Sequence, residues 1–170
     1  MRNINVQRYS ENVKCATADG LREMLLADLA PWAATVGVQR NRVVVATYIR
    51  PNVTAGGIIR PDSTQDEDRY QGKAGLVLRL GPVAFDYEEL HTTADRIAED
   101  WSGKKPLTRK QAIAKARKAL DLPGVGDWVV FRAYESYEIG VVIDAATTVS
   151  VKIVNDDAII SKIADPSTVW

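Results

Sequence analysis

Three stretches decide the fold: Asn41-Arg42-Val43-Val44-Val45, Thr54-Ala55-Gly56-Gly57-Ile58-Ile59-Arg60 and Gly75-Leu76-Val77-Leu78-Arg79-Leu80-Gly81. Val43-Val44-Val45-Ala46 is apolar without alternation, which predicts a strand over 38–49 buried on both faces. A second strand is expected over 74–81, where Gly81-Pro82 stops it. Between them, 51–72 holds Gly, Pro and the acidic residues Asp62, Asp66, Glu67 and Asp68, with neither a strand nor a helix period. A structureless connection of this length is uncommon inside a compact domain and is expected to be functional, disordered or both. Ile58-Ile59 is an apolar pair set in its middle.

Outward from this region the chain alternates in character. Asp19 offers an N-cap ahead of Leu21, Met24, Leu25 and Leu29, so a short amphipathic helix is expected over 20–30, ended by Pro31. Tyr87 to Trp101 reads as a helix with Leu90, Ala94, Ile97 and Trp101 on one side. Thr108 with Gln111 has the spacing of a capping box, and Ala112, Ile113, Ala116, Ala119 and Leu120 then form a narrow apolar stripe that Pro123-Gly124 terminates. Trp128-Val129-Val130-Phe131 is a further strand apolar on both faces, followed by strands over 139–143, 147–154 and 158–163, with Asn155-Asp156-Asp157 as the connection into the last. Short strands at this spacing predict a sandwich or small barrel, interrupted by a helical insertion.

Composition narrows the function classes. The 170 residues suit one domain of ordinary size. Twenty-two basic and 22 acidic residues cancel, which gives no reason to expect a nucleic-acid or membrane partner. Cys15 is the only cysteine and His91 the only histidine, so an intramolecular disulfide is excluded and no metal site is expected. With no apolar signal core and no long apolar run, the expectation is a soluble protein of a reducing cytoplasm.

In order, these pieces resemble the co-chaperonin family, the GroES-like lids of chaperonins. Asn41 to Val45 is similar to the family's first barrel strand, Ala55-Gly56-Gly57-Ile58-Ile59 to the Gly-Gly-aliphatic signature of its mobile loop, and Gly75 to Gly81 to the strand that closes that loop. Val125-Gly126-Asp127-Trp128-Val129-Val130-Phe131 resembles its Val-Gly-Asp strand, and Asn155 to Ile163 its last turn and strand. The N-terminal extension over 1–35, the insertion over 83–124 and the tail over 165–170 look more like phage-encoded relatives than the compact bacterial lid.

The resemblance implies a mainly β fold: a GroES-like small β-barrel over 36–164, with a mobile loop over 51–72, an N-terminal helix and the helical insertion. It further implies a non-enzymatic co-chaperonin, without cofactor, whose loop docks on a GroEL-like chaperonin and whose ring caps the folding chamber for a phage capsid protein. Gly56, Gly57, Ile58, Ile59 and Arg60 would contact the chaperonin. Val43, Val44, Val45, Trp128, Val130 and Ile160 would build the barrel and a homo-oligomer, a heptameric ring in this family. Burying each isoleucine contributes about 1.5–3 kcal/mol, whereas ordering backbone costs about 1–2 kcal/mol per residue, so one loop binds weakly. Several loops on one ring raise avidity by about 10²–10⁴. A third aliphatic residue common in the family is replaced here by Arg60, followed by Pro61, which leaves less apolar surface.

The competing reading is a virion structural protein, capsid-stabilising or decorating, that reuses the same barrel and places the protein in the virion. Gly56 to Ile59 is also compatible with an ordinary hairpin loop whose isoleucines fold back on the barrel. His91, beside Glu88, Glu89 and Asp95, reads as a surface residue because no nucleophile motif or phosphate loop accompanies it. Lys104, Lys105, Arg109, Lys110, Lys115, Arg117 and Lys118 read either as contact for an acidic partner or nucleic acid, or as a solvated helix face. The solvated face is favoured because aromatic interleaving is absent.

Overall fold

The computed structural model describes residues 18–49, 73–103, 105–144 and 147–169. Gly56, Gly57, Ile58, Ile59 and Arg60, the whole 51–72 segment, Cys15 and Trp170 lie outside the described residues. The described chain runs α1 (Ala18–Thr35), β1 (Arg42–Thr47), β2 (Ala74–Leu80), α2 (Glu88–Glu99), α3 (Arg109–Ala119), β3 (Trp128–Phe131), β4 (Tyr137–Asp144), β5 (Thr147–Asn155) and β6 (Ile159–Ile163).

The six strands form one antiparallel sheet in the order β4-β5-β1-β2-β3-β6. The expected closed barrel is corrected by this pairing: β4 and β6 are opposite edges and do not pair with each other, so the sheet is open. The expected mainly β class is corrected as well, because three helices contribute about as many residues as the strands and the fold is mixed α/β.

Alternation of side chains across the pleat explains why β1 reads as a continuous apolar run. Val44 and Ala46 point to one face with Leu76, Trp128 and Val151, under α1. Val43 and Val45 point to the other with Val77, Val129, Phe131 and Val154, covered by Ala84, Phe85 and Ala158. All of these are buried. A strand with helix on one side and loop on the other has no solvent face to mark with polar residues.

Helix α1 continues through Pro31, where a stop was expected. Its buried stripe explains this: Leu21, Leu25, Leu29 and Ala33 recur every fourth residue on both sides of the proline. Proline removes one intrahelical hydrogen bond, and tertiary contacts offset the loss. The guanidinium of Arg79 donates to the carbonyls of Ala33 (2.5 Å) and Ala34 (2.8 Å), which lie in the helix's last turn. A β-bulge makes that reach possible. Val44 pairs with Arg79 and Val45 with Val77, so Leu78 is the extra residue of β2, and Leu78 and Arg79 both serve the α1 side.

The second bulge accounts for Ile160. Val130 pairs with Ser161 and Phe131 with Ile159, which leaves Ile160 as the extra residue of β6, 64% exposed. Val130 itself is only partly buried.

Helices α2 and α3 pack mainly on each other. Leu90, Ala94, Ala112 and Ala116 are buried between them, with Ile97, Ile113 and Leu120 against these. Thr108 caps α3 with the full capping box: its hydroxyl accepts from the Gln111 backbone N–H, and the Gln111 side chain accepts from the Thr108 N–H at 2.9 Å. Leu122 belongs to both this cluster and the sheet's second face, and so joins the helical pair to the sheet.

Candidate partner-binding site

The described residues that flank the stretch expected to bind a partner lie side by side in the sheet. The β1–β2 ladder runs to Thr47 opposite Gly75, and the Tyr48 N–H donates to the Ala74 carbonyl at 2.9 Å, closing the pair one step further. Tyr48 before the 51–72 segment and Ala74 after it are thus held side by side. Gly75 is needed in this frame for space: a Cβ there would sit 2.8 Å from the Ala46 carbonyl oxygen and 3.1 Å from the Phe131 ring.

Beneath this base the two faces carry aromatic and polar groups. Trp128 is fully buried, with its ring edge-on to Tyr48 at 6.0 Å. Lys152, in β5, is 1% exposed and lies opposite Glu138 of β4 in the ladder, its ammonium 5.7 Å from the Phe131 ring. The Ser150 hydroxyl donates to Glu138 at 3.0 Å. Burial pushes the Lys152 amine below its usual range, and the nearby Glu138 charge opposes that shift.

Val125-Gly126-Asp127 forms the turn into β3. Gly126 has φ +89°, which favours glycine, and its N–H donates to the Val77 carbonyl at 2.8 Å. The Val77 N–H donates back to the Asp127 carbonyl at 2.9 Å, and the Asp127 carboxylate accepts from the Gly124 N–H at 2.9 Å. The triplet thus holds β3 in register on β2.

An open depression of about 270 Å³ lies on the other side, lined among others by Tyr87, Asp121, Asp156, Ile160 and Lys162. Asp121, Asp156 and Lys162 are already engaged. Lys162 donates to Asp121 (2.7 Å) and lies 3.3 Å from Asp127, contacts that hold its amine above the usual range, the Asp121 hydrogen bond first. Asp156 is buried and accepts from the Asn41 side chain (2.8 Å) and the Phe85 N–H (2.7 Å). This hub was invisible in the sequence, where Asp156 reads only as a turn residue.

His91 lies on the surface of α2, bonded to Asp86 (2.8 Å) and to Arg109 (3.2 Å). Arg109 also pairs with Asp95. Trp101, expected on the apolar side of α2, is 40% exposed. Its indole N–H donates to the Lys105 carbonyl at 2.9 Å, and the Lys115 ammonium sits 4.5 Å from its ring. An aromatic ring therefore stands among the basic residues of α3, where none was expected. Among the described residues, no group of three or more His, Cys, Asp or Glu could hold a metal ion, and no helix is long and apolar enough to cross a membrane.

Set against models of known protein families and against curated proteins, the sequence matches none.

Proposed function

We propose that the protein is a co-chaperonin: a non-enzymatic ring whose 51–72 segment docks Ile58 and Ile59 in an apolar groove of a chaperonin and whose body covers the folding chamber. The observation that carries this reading is the pairing of β1 with β2, the described strands on either side of that segment, which the ladder from Val43–Leu80 to Thr47–Gly75 holds at a fixed separation. A rigid base lets a short Gly-Gly-aliphatic motif be offered to a partner at low ordering cost. The open sheet supports assembly in a second way. Its edge strands β4 and β6 present unpaired backbone groups, and exposed Tyr137, Ile139 and Val142 line β4. Joining edges between copies would close the sheet that one copy leaves open.

Chaperonin ATPase inhibition tests the reading. The wild-type protein is expected to inhibit a cognate chaperonin, and Ile58→Ser with Ile59→Ser is expected to remove that inhibition. Failure of the wild type to bind any chaperonin, together with a monomeric mass in native mass spectrometry, would reject it.

A second reading is a structural protein of a phage virion, favoured by the helical pair α2–α3, which packs on itself beside the sheet and offers a charged surface to neighbours. Stoichiometric amounts in purified virions would select it.

A further inference from the structure

The single histidine of the chain sits in a line of contacts that joins three segments. Its Nε2 lies 2.8 Å from the Asp86 carboxylate, in the loop ahead of α2, and its Nδ1 lies 3.2 Å from the guanidinium of Arg109, the first residue of α3. A guanidinium donates hydrogen bonds and never accepts them, so the Arg109 contact is a hydrogen bond only when Nδ1 carries no proton. An ionised carboxylate only accepts, so the Asp86 contact needs the proton on Nε2. Together the two partners select one form of His91, the neutral ring with its hydrogen on Nε2. A proton added at Nδ1 would set an N–H and a positive charge against the Arg109 guanidinium, while the Asp86 contact is kept. The other charges close to the ring by helical spacing are Glu88 and Asp95, one turn before and after it on α2, and Asp95 pairs with Arg109. The far end of α3 is held separately: Arg117 donates to the Ala84 carbonyl at 2.8 Å, and Leu122 packs on both the helical pair and the sheet. Both ends of α3 are thus tied to the loop between β2 and α2, and the Arg109 end is tied through a titratable ring.

We infer that His91 is a pH-sensitive latch on α3. Neutral, it ties the first turn of α3 through Arg109 to Asp86. Protonated, it releases Arg109 to Asp95 alone and loosens that end of the helix. Histidine is the side chain whose ordinary charge change falls between about pH 5 and 8, and the sequence contains no other. The four side chains of the line all reach solvent, so the loss of one such contact changes local opening by about two- to fivefold. The latch involves neither the 51–72 segment nor a second copy, and it stands independently of the chaperonin reading.

An NMR titration of the wild-type protein from about pH 8 to about pH 5.5 tests it. The imidazole C–H resonances of the single histidine report its protonation, and the backbone amides over 109–112 are expected to shift with the same midpoint. Amide exchange, corrected for its intrinsic pH dependence, is expected to rise about two- to fivefold in the first turn of α3 at the low end and to stay constant in β1 and β2. His91→Gln, which takes up no proton in this range, should abolish both changes. Arg109→Gln should remove the response of the α3 amides while His91 still titrates. Circular dichroism verifies that each variant folds. Wild-type α3 amides that do not follow the His91 midpoint overturn the proposal, as does a response of undiminished size in His91→Gln or in Arg109→Gln.

Discussion

The Phe85 backbone N–H donates to the buried Asp156 carboxylate at 2.7 Å, across 71 positions of sequence. Phe85 has φ +57°, a strained value for a residue with a side chain, so the contact holds an otherwise unfavourable turn. The same carboxylate takes the Asn41 side chain at 2.8 Å, and the Asp156 N–H donates to the Asn41 carbonyl at 3.0 Å. One residue thus ties the start of β1, the loop after β2 and the turn before β6.

Replacing Asp156 by Ala strands the Phe85 N–H and the Asn41 amide. The expected cost is about 1–3 kcal/mol, read as a lower urea midpoint with little change in slope. Tyr87 supplies an independent readout. Its phenol is pushed up to about 12, by partial burial first and then by the charge and hydrogen bond of Asp156. A raised folded-state value means that this contribution to stability is complete below pH 10.0, the ordinary phenol value, and is lost as pH rises through about 12. In Asp156→Ala, ultraviolet titration should show the Tyr87 phenol ionising closer to 10.0.

Leu29 tests whether α1 is integral to the fold or an appendage. It is fully buried against the sheet, so Leu29→Ala should destabilise by about 2–5 kcal/mol in chemical denaturation. A helix that merely rested on the surface would show far less.

The α3 cap should act locally. Thr108→Ala removes the hydroxyl that accepts from Gln111, at a cost of about 0.5–2 kcal/mol. Because α2 and α3 pack mainly on each other, faster amide exchange is expected in α3 and α2, with strands β1 and β2 unchanged.

Lys152 makes a prediction of opposite sign to Tyr87. Its folded-state value lies below the ordinary 10.5, because of burial first, with Glu138 opposing. Folding therefore favours the neutral amine, and this group's contribution grows as pH rises from the folded value towards 10.5. Lys152→Met removes that gain. Melting temperature measured between neutral and alkaline pH should rise less, or fall more steeply, in the variant than in the wild type.

Much of the secondary structure was legible because it is written in local patterns. Val43 to Ala46 and Trp128 to Phe131 are β-branched or aromatic runs too short for a buried helix, and both are strands. Thr108 and Gln111 form the capping box that their spacing announced, since the box involves one turn of chain. The Pro31 stop failed for a nonlocal reason: the stripe Leu21, Leu25, Leu29 and Ala33 finds a sheet to pack on, and Arg79 satisfies the carbonyls at the far end. Trp101 was assigned to the apolar side by its period, but it lies just beyond the last turn of α2 and turns outward to Lys105 and Lys115.

The sequence by itself determined the strands and most helix limits, because each follows from side-chain period or capping over one or two turns of chain. Only the tertiary structure decided that the sheet stays open with β4 and β6 at its edges, that Ile160 bulges outward and that Asp156 is a hub rather than a turn residue. Those outcomes depend on pairings between residues up to 115 positions apart, such as Asn41 with Asp156. Local pattern carries no record of such pairings, because they form only when packed elements bring the residues together.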